Sequence, residues 1–282
     1  MKLFRNAPTI TKAIIIVSLL GACQNEKDAV LSPIAEQANA ASSQNAKIAA
    51  NSKLISDGSR KLLYSGPRNL LTKEALESYN YYIEYAYSDQ YIKSTRYEFS
   101  TNKKIADNSY TLNANGLCIE SSVGNNFNGT TKYEYNENQQ LIKAFNKFEP
   151  NERQEFEYSL EPNGQARLLS VAFYNKAGDK FKELAYSYVG ATPDLYPLNP
   201  DFLASGTGKY LPIFGKFSPY LIKMVTEKKF NYHPFKEFAS AELLNYTHYP
   251  DGRVKTIKST DVKSGNTHSV TERKYASTMS AN

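Results

Sequence analysis

Residues 79–87 read YNYYIEYAY, and the spacing of the large side chains in this stretch decides the fold. Tyr79, Tyr81, Ile83, Tyr85 and Tyr87 fall on every second position, and successive side chains of a strand point to opposite faces. The segment is therefore expected to be a strand with one aromatic face. Working outward, similar alternation returns in KYEYN (132–136), EFEYSL (155–160) and ELAYSY (183–188). Turn-forming clusters separate these runs: NANG at 113–116, NENQ at 136–139, EPNG at 161–164, NKAGD at 175–179 and YPDGR at 249–253. Asn-Gly and Asp-Gly accept the positive φ that tight hairpins demand.

The runs also repeat. Tyr110, Tyr133 and Phe156 are 23 residues apart, as are Leu112, Tyr135 and Tyr158. That period accommodates two strands of about seven residues and two turns, one hairpin per repeat. Successive hairpins make an up-and-down antiparallel meander. The expected fold is all-β, with about ten to twelve strands in a strongly curved sheet or partly closed barrel. With 22 Tyr, 14 Phe and no Trp, the aromatic content itself favours pleated, half-buried surfaces. Alternate-position Tyr is expected to fill the concave side of this sheet, against the alternative of a sugar-stacking platform, which more often relies on Trp.

The opening of the chain is of another kind. Lys2, Arg5 and Lys12 precede the apolar run Ala13–Leu20, and no acidic residue intervenes. That is the charged and apolar layout of an export signal, too short for the roughly 20 residues of a membrane-spanning helix. The run ends in Leu20-Gly21-Ala22-Cys23, which resembles the lipobox of bacterial lipoproteins. The resemblance implies cleavage before Cys23, lipidation (diacylglyceryl and acyl chains such as palmitate) at Cys23, and, with Gln24 following, an outer-membrane destination. The QNEKD cluster at 24–28 resembles the surface-export tags of Bacteroidetes-type lipoproteins. Durable anchoring needs more than one acyl chain.

Losing Lys2, Arg5 and Lys12 with the leader takes 34 basic residues to 31 against 28 acidic, a net charge of +3. So balanced a chain presents no electrostatic case for nucleic acid. With Cys23 committed to lipid, Cys118 stands alone and no internal disulfide forms; in the strand-like GLCIESSV it reads as a small buried hydrophobe.

The expected domain layout is a lipoprotein signal peptide at 1–22, an Ala/Ser/Asn-rich tether at 23–62 and a β-meander domain at 63–282. An irregular Pro/Gly-rich insertion at 190–220 interrupts the meander. Its length and its Tyr, Phe and Leu content suggest a segment that plugs or covers one end of the sheet, as core cap or as ligand-contacting lid. The units YEYNENQQLIKA (133–144) and YTHYPDGRVKTI (246–257), with KYLPIFGKFSPYLIKMV (209–225), resemble the tyrosine-rich hairpins and Pro/Gly-rich insertion of a domain-of-unknown-function family in Bacteroidetes-type lipoproteins. The resemblance implies a porin-like fold and transfers no site residue.

No catalytic constellation is visible. His233, His248 and His268 have no ligand-like spacing, so no metal site is expected. GTGK at 206–209 lacks the spacing of a phosphate loop. Glu155 and Glu157 alternate with Phe156 and Tyr158 and read as the solvated side of a strand. The expectation is a non-enzymatic cell-envelope lipoprotein, anchored to the bacterial outer membrane on its periplasmic or cell-surface face. It needs no cofactor, and binds a protein, glycan or lipid ligand. Alternatives are a carrier of a lipophilic small molecule in a curved-sheet cavity, a glycan-active enzyme and a literal porin. The porin is disfavoured because Lys and Glu stud strands that are short for a membrane.

Overall fold

A computed structural model describes residues 53–124, 129–161, 165–203, 208–231 and 237–276. Cys23, the leader and residues 23–52 of the assigned tether lie outside the described residues. Sixteen strands occur among those described. They are β1 (Leu54–Asp57), β2 (Arg60–Ser65), β3 (Leu70–Leu76), β4 (Tyr81–Ser88), β5 (Tyr91–Glu98), β6 (Lys104–Leu112), β7 (Cys118–Val123) and β8 (Thr130–Tyr135). There follow β9 (Leu141–Asn146), β10 (Arg153–Leu160), β11 (Ala166–Tyr174), β12 (Lys180–Pro193), β13 (Tyr220–Phe230), β14 (Glu237–His248), β15 (Val254–Asp261) and β16 (Thr267–Tyr275).

Every strand pairs antiparallel with its neighbours in sequence, and β1 pairs with β16, so the meander closes into a barrel. Closure removes the unpaired edges that an open sheet would expose. The strand number exceeds the ten to twelve read from alternation, because strands such as β1 (LISD) and β15 (VKTIKSTD) carry no aromatic ladder. The sheet also begins earlier than residue 63. All of β1 and the start of β2 fall inside the stretch assigned as tether, where Leu54 is fully buried.

Local chemistry explains the hairpins. Asn113 and Asn136 each accept, through the side-chain oxygen, backbone N–H bonds from the residues two and four further on. Each of these Asn N–H groups donates to the carbonyl four residues on. Gly116, Gly178 and Gly252 hold positive φ near the ends of the corresponding loops. In β4, Ile83 and Tyr85 are buried and Tyr81 and Tyr87 pack against the core, while Glu84 and Ala86 face out. Tyr79 departs from the expected ladder: it sits in a 3-10 turn at 77–79 and is exposed. The 23-residue repeat lands inside the barrel, with Tyr110, Tyr133 and Phe156 all buried on β6, β8 and β10.

The irregular excursion is shorter than expected at its start. Residues 190–193 continue β12, and Pro193 is registered against Tyr220 of β13. The described residues between them, 194–203 and 208–219, fold into the lumen. Leu203, Tyr210, Leu211, Ile213 and Phe214 from this segment belong to the same buried core as the inward faces of the strands. The core of this barrel is therefore made of wall and plug together.

Candidate functional site

The plug is seated by backbone and by rings. Phe214 meets Tyr133 at 5.1 Å and Tyr110 at 6.2 Å between ring centres. Cys118 N donates to Ile213 O at 2.7 Å, Leu168 N to Phe217 O at 3.1 Å and Lys216 N to Gln139 O at 3.2 Å. These bonds satisfy carbonyls that a bare loop inside a barrel would leave without partners. Gly215 lies where a Cβ would collide with the Gln139 carbonyl, at a φ of +82°.

An ionic cluster ties the plug to the seam where β1 meets β16. Asp57 is nearly buried and accepts from Tyr210 Oη at 2.8 Å and from Arg273 Nε at 3.2 Å, with Lys209 Nζ at 3.4 Å. Burial alone would raise the Asp57 pKa, but Arg273, Lys209 and the Tyr210 hydroxyl outweigh it and hold the carboxyl below its ordinary range. Alongside, the fully buried Glu74 pairs with Arg60 and accepts from Tyr85 Oη at 3.1 Å. Each buried carboxylate thus has a cation and a phenol, the arrangement that offsets desolvation.

The tyrosine hydroxyls show an order that the ladder alone did not reveal. On β4, β8, β10, β12 and β14, a tyrosine donates to a carbonyl of the preceding strand: Tyr87 to Leu71, Tyr135 to Cys118, Tyr158 to Leu141, Tyr188 to Leu168 and Tyr246 to Ile222, at 2.5–2.9 Å. Register irregularities at Tyr135, Tyr158 and Tyr188 accompany the pattern. Burial pushes Tyr87 and Tyr188 up to about 12, so these groups remain neutral donors. The spacing of Leu112, Tyr135 and Tyr158 was the available signal; the hydrogen bonds were not, since carbonyl positions depend on register. On β6 the equivalent position is Leu112, which has no hydroxyl to give.

Between plug and wall, space remains. A chamber of about 490 Å³ lies at the plugged end, with Tyr64, Leu71, Tyr87, Ile92, Leu112 and Ile213 among its walls. A second, of about 590 Å³, is lined by polar groups such as Thr131, Asn146 and Gln154 beside Tyr133, Phe173 and Phe202. Both volumes fall in the range of small-molecule sites.

A closed antiparallel meander with a filled lumen can be compared with solved structures. A porin-like protein from Bacteroides vulgatus ATCC 8482 aligns over 79% of this chain and 99% of that one, with a TM-score of 0.51 and 13% identity. A porin-like protein from Bacteroides uniformis ATCC 8492 aligns over 79% and 97%, with a TM-score of 0.41 and 10% identity. The fold is porin-like. No family model and no curated protein matches the chain.

The porin-like barrel differs in dress from one immersed in lipid. Its outer wall carries the cross-strand ion pairs Lys73–Glu84 (3.4 Å), Lys93–Asp107 (3.4 Å), Lys147–Glu120 (3.1 Å) and Lys143–Glu134 (4.0 Å). A lysine facing hydrocarbon near the bilayer midplane costs about 2–4 kcal/mol. Strands β7, β8 and β9 have six residues each, against the roughly 9–11 that span a bilayer.

Cys118 is buried at the start of β7, its thiol near the Glu120 carbonyl at 3.4 Å, and burial pushes it up to about 12. Such a thiol is not a nucleophile. His248 lies beside Tyr246, with ring centres 6.5 Å apart. His268 approaches Glu242 at 3.8 Å at an exposed site, and His233 lies outside the described residues. Glu155 bonds Arg153 and Glu157 accepts from Ser170, on the outer wall. Among the described residues no group of three His, Cys, Asp or Glu is placed to hold a metal. The anchoring residue Cys23 is outside them.

Proposed function

We propose that this chain is a lipoprotein of the bacterial cell envelope, held at the outer membrane through Cys23, whose porin-like barrel stands in water and binds a small ligand or partner without catalysis. The observation that carries this reading is a barrel whose outer wall is charged and whose plugged lumen keeps chambers of ligand size. The buried carboxylates support a non-catalytic role, since Asp57 and Glu74 are both engaged by cations and phenols that hold plug to wall. A carrier of a lipophilic small molecule is the second reading, favoured by the apolar lining of the chamber at Leu112. Cell fractionation and fatty-acid labelling test the anchor: Cys23→Ala is expected to release the protein from membranes and abolish the label, and retention of both would refute it. Native mass spectrometry of protein taken from its own cells tests ligand binding, with a retained small molecule expected.

A further inference from the structure

We infer that the chamber at the plugged end is a site for a single-chain amphiphile with an anionic head, a specificity that rests on the ligand-binding reading above. The chamber occurs where the repeat is broken. On five even-numbered strands a tyrosine reaches across to a carbonyl of the preceding strand. β6 places Leu112 at that position, and the shorter side chain borders about 490 Å³ of space.

The walls suit an acyl chain. Leu71, Ile92, Leu211 and Ile213 are buried at its sides, each 5% exposed or less. Of the nearest phenols, Tyr87 donates to the Leu71 carbonyl, and the Tyr64 and Tyr196 hydroxyls lie 3.4 Å apart, so that pair leaves a single O–H over. A long polar ligand would find few partners along these walls, and burying it would leave its polar groups desolvated.

The rim suits an anion. Lys53 and Arg68 both border the chamber, and neither is in an ion pair among the described residues. Lys53 instead lies over the Tyr64 ring at 5.4 Å. A third cation, Lys209, is already held by Asp57 and Asp201. The one carboxylate among the lining residues is Asp89, so the rim keeps an excess of positive charge. An arginine and a lysine at the mouth of an apolar slot match a carboxylate or phosphate joined to a hydrocarbon chain. A fatty acid and a lysophospholipid-like phosphate share that chemistry.

The test is calorimetric titration of the full chain carrying Cys23→Ser, so that no acyl group of its own competes, with dodecanoate, dodecyl phosphate and dodecanol. Both anions are expected to bind once per chain, at least about tenfold tighter than the alcohol. A tighter carboxylate would identify a free fatty acid as the source, and a tighter phosphate a phospholipid-derived one. The double variant Lys53→Glu/Arg68→Glu is expected to weaken the anions about tenfold and leave dodecanol unchanged. Leu112→Tyr, which restores the residue the repeat uses elsewhere, is expected to abolish binding of all three with the melting transition retained. The inference is overturned if no amphiphile binds, if the alcohol binds as tightly as the anions, or if Leu112→Tyr binds as wild type does. Should the native protein retain a small molecule while dodecanoate and dodecyl phosphate fail to bind, this assignment falls and the ligand-binding reading stands; if neither binds, both fall.

Discussion

Gly215 sits at a φ of +82° against the Gln139 carbonyl, and no side chain fits there. Two costs coincide, a left-handed backbone and a collision with main-chain oxygen that has no flexible end to move. Gly215→Ala is expected to destabilise the barrel by about 2 kcal/mol or more, read as a lowered urea midpoint with the plug displaced from the β8–β9 hairpin. Asp57 makes a prediction with a pH sign. Its folded pKa is depressed, so its contribution is present above the ordinary carboxylate pKa of about 3.9 and is lost as pH falls through the folded value. Asp57→Asn removes the carboxylate bonded to buried Arg273, leaving only the more distant charge of Asp194 to offset it, and is expected to cost about 3 kcal/mol at pH 7. The gap from wild type should narrow as urea titrations move below about pH 4; a gap that stays constant would contradict the ionic role. Cys118, pushed up to about 12 by burial, should resist iodoacetamide at pH 8 in the folded protein and react on denaturation.

At the scale of the element, the unit is a hairpin closed by an Asn-led turn and braced by a phenol. Tyr158 Oη donates to Leu141 O at 2.9 Å, and removing the hydroxyl leaves a carbonyl in the core with one partner fewer. Tyr158→Phe is expected to cost about 1–2 kcal/mol in urea unfolding, whereas the same change at exposed Tyr79 should cost nothing measurable. The alternation in β4, the turns at 113–116 and 136–139 and the 23-residue period were all legible in the sequence, because pleat and turn geometry act between residues close along the chain. Strands β1 and β16 were not, since they are short or polar and become strands through neighbours already in place. Tyr79 was read one position pair too far for the converse reason: period two continues in the sequence, but a 3-10 turn takes the chain out of the sheet.

For the whole molecule, closure is the decisive event. β1 contributes four residues yet pairs with both β16 and β2, and its Asp57 meets Arg273, 216 positions later in the chain. A chain starting at residue 63 would lose β1, half of β2, Asp57 and Arg60 together, exposing the edge of β16 and part of that of β3 and taking the ion-pair partners of Arg273 and Glu74 away. Such a chain is expected to show no cooperative thermal transition, in contrast to one starting at residue 53; equal melting of the two would contradict a role for the seam. The sequence by itself determined an antiparallel meander, its aromatic inner face and the plug-like character of the excursion, since alternation, turn chemistry and ring content are local properties of the chain. Only the tertiary structure decided that the sixteen described strands close, that 194–203 and 208–219 enter the lumen, and that a chamber remains beside Leu112. Those outcomes depend on contacts between residues far apart in sequence and on how much volume the plug leaves unfilled, and neither quantity is written in any short stretch of residues.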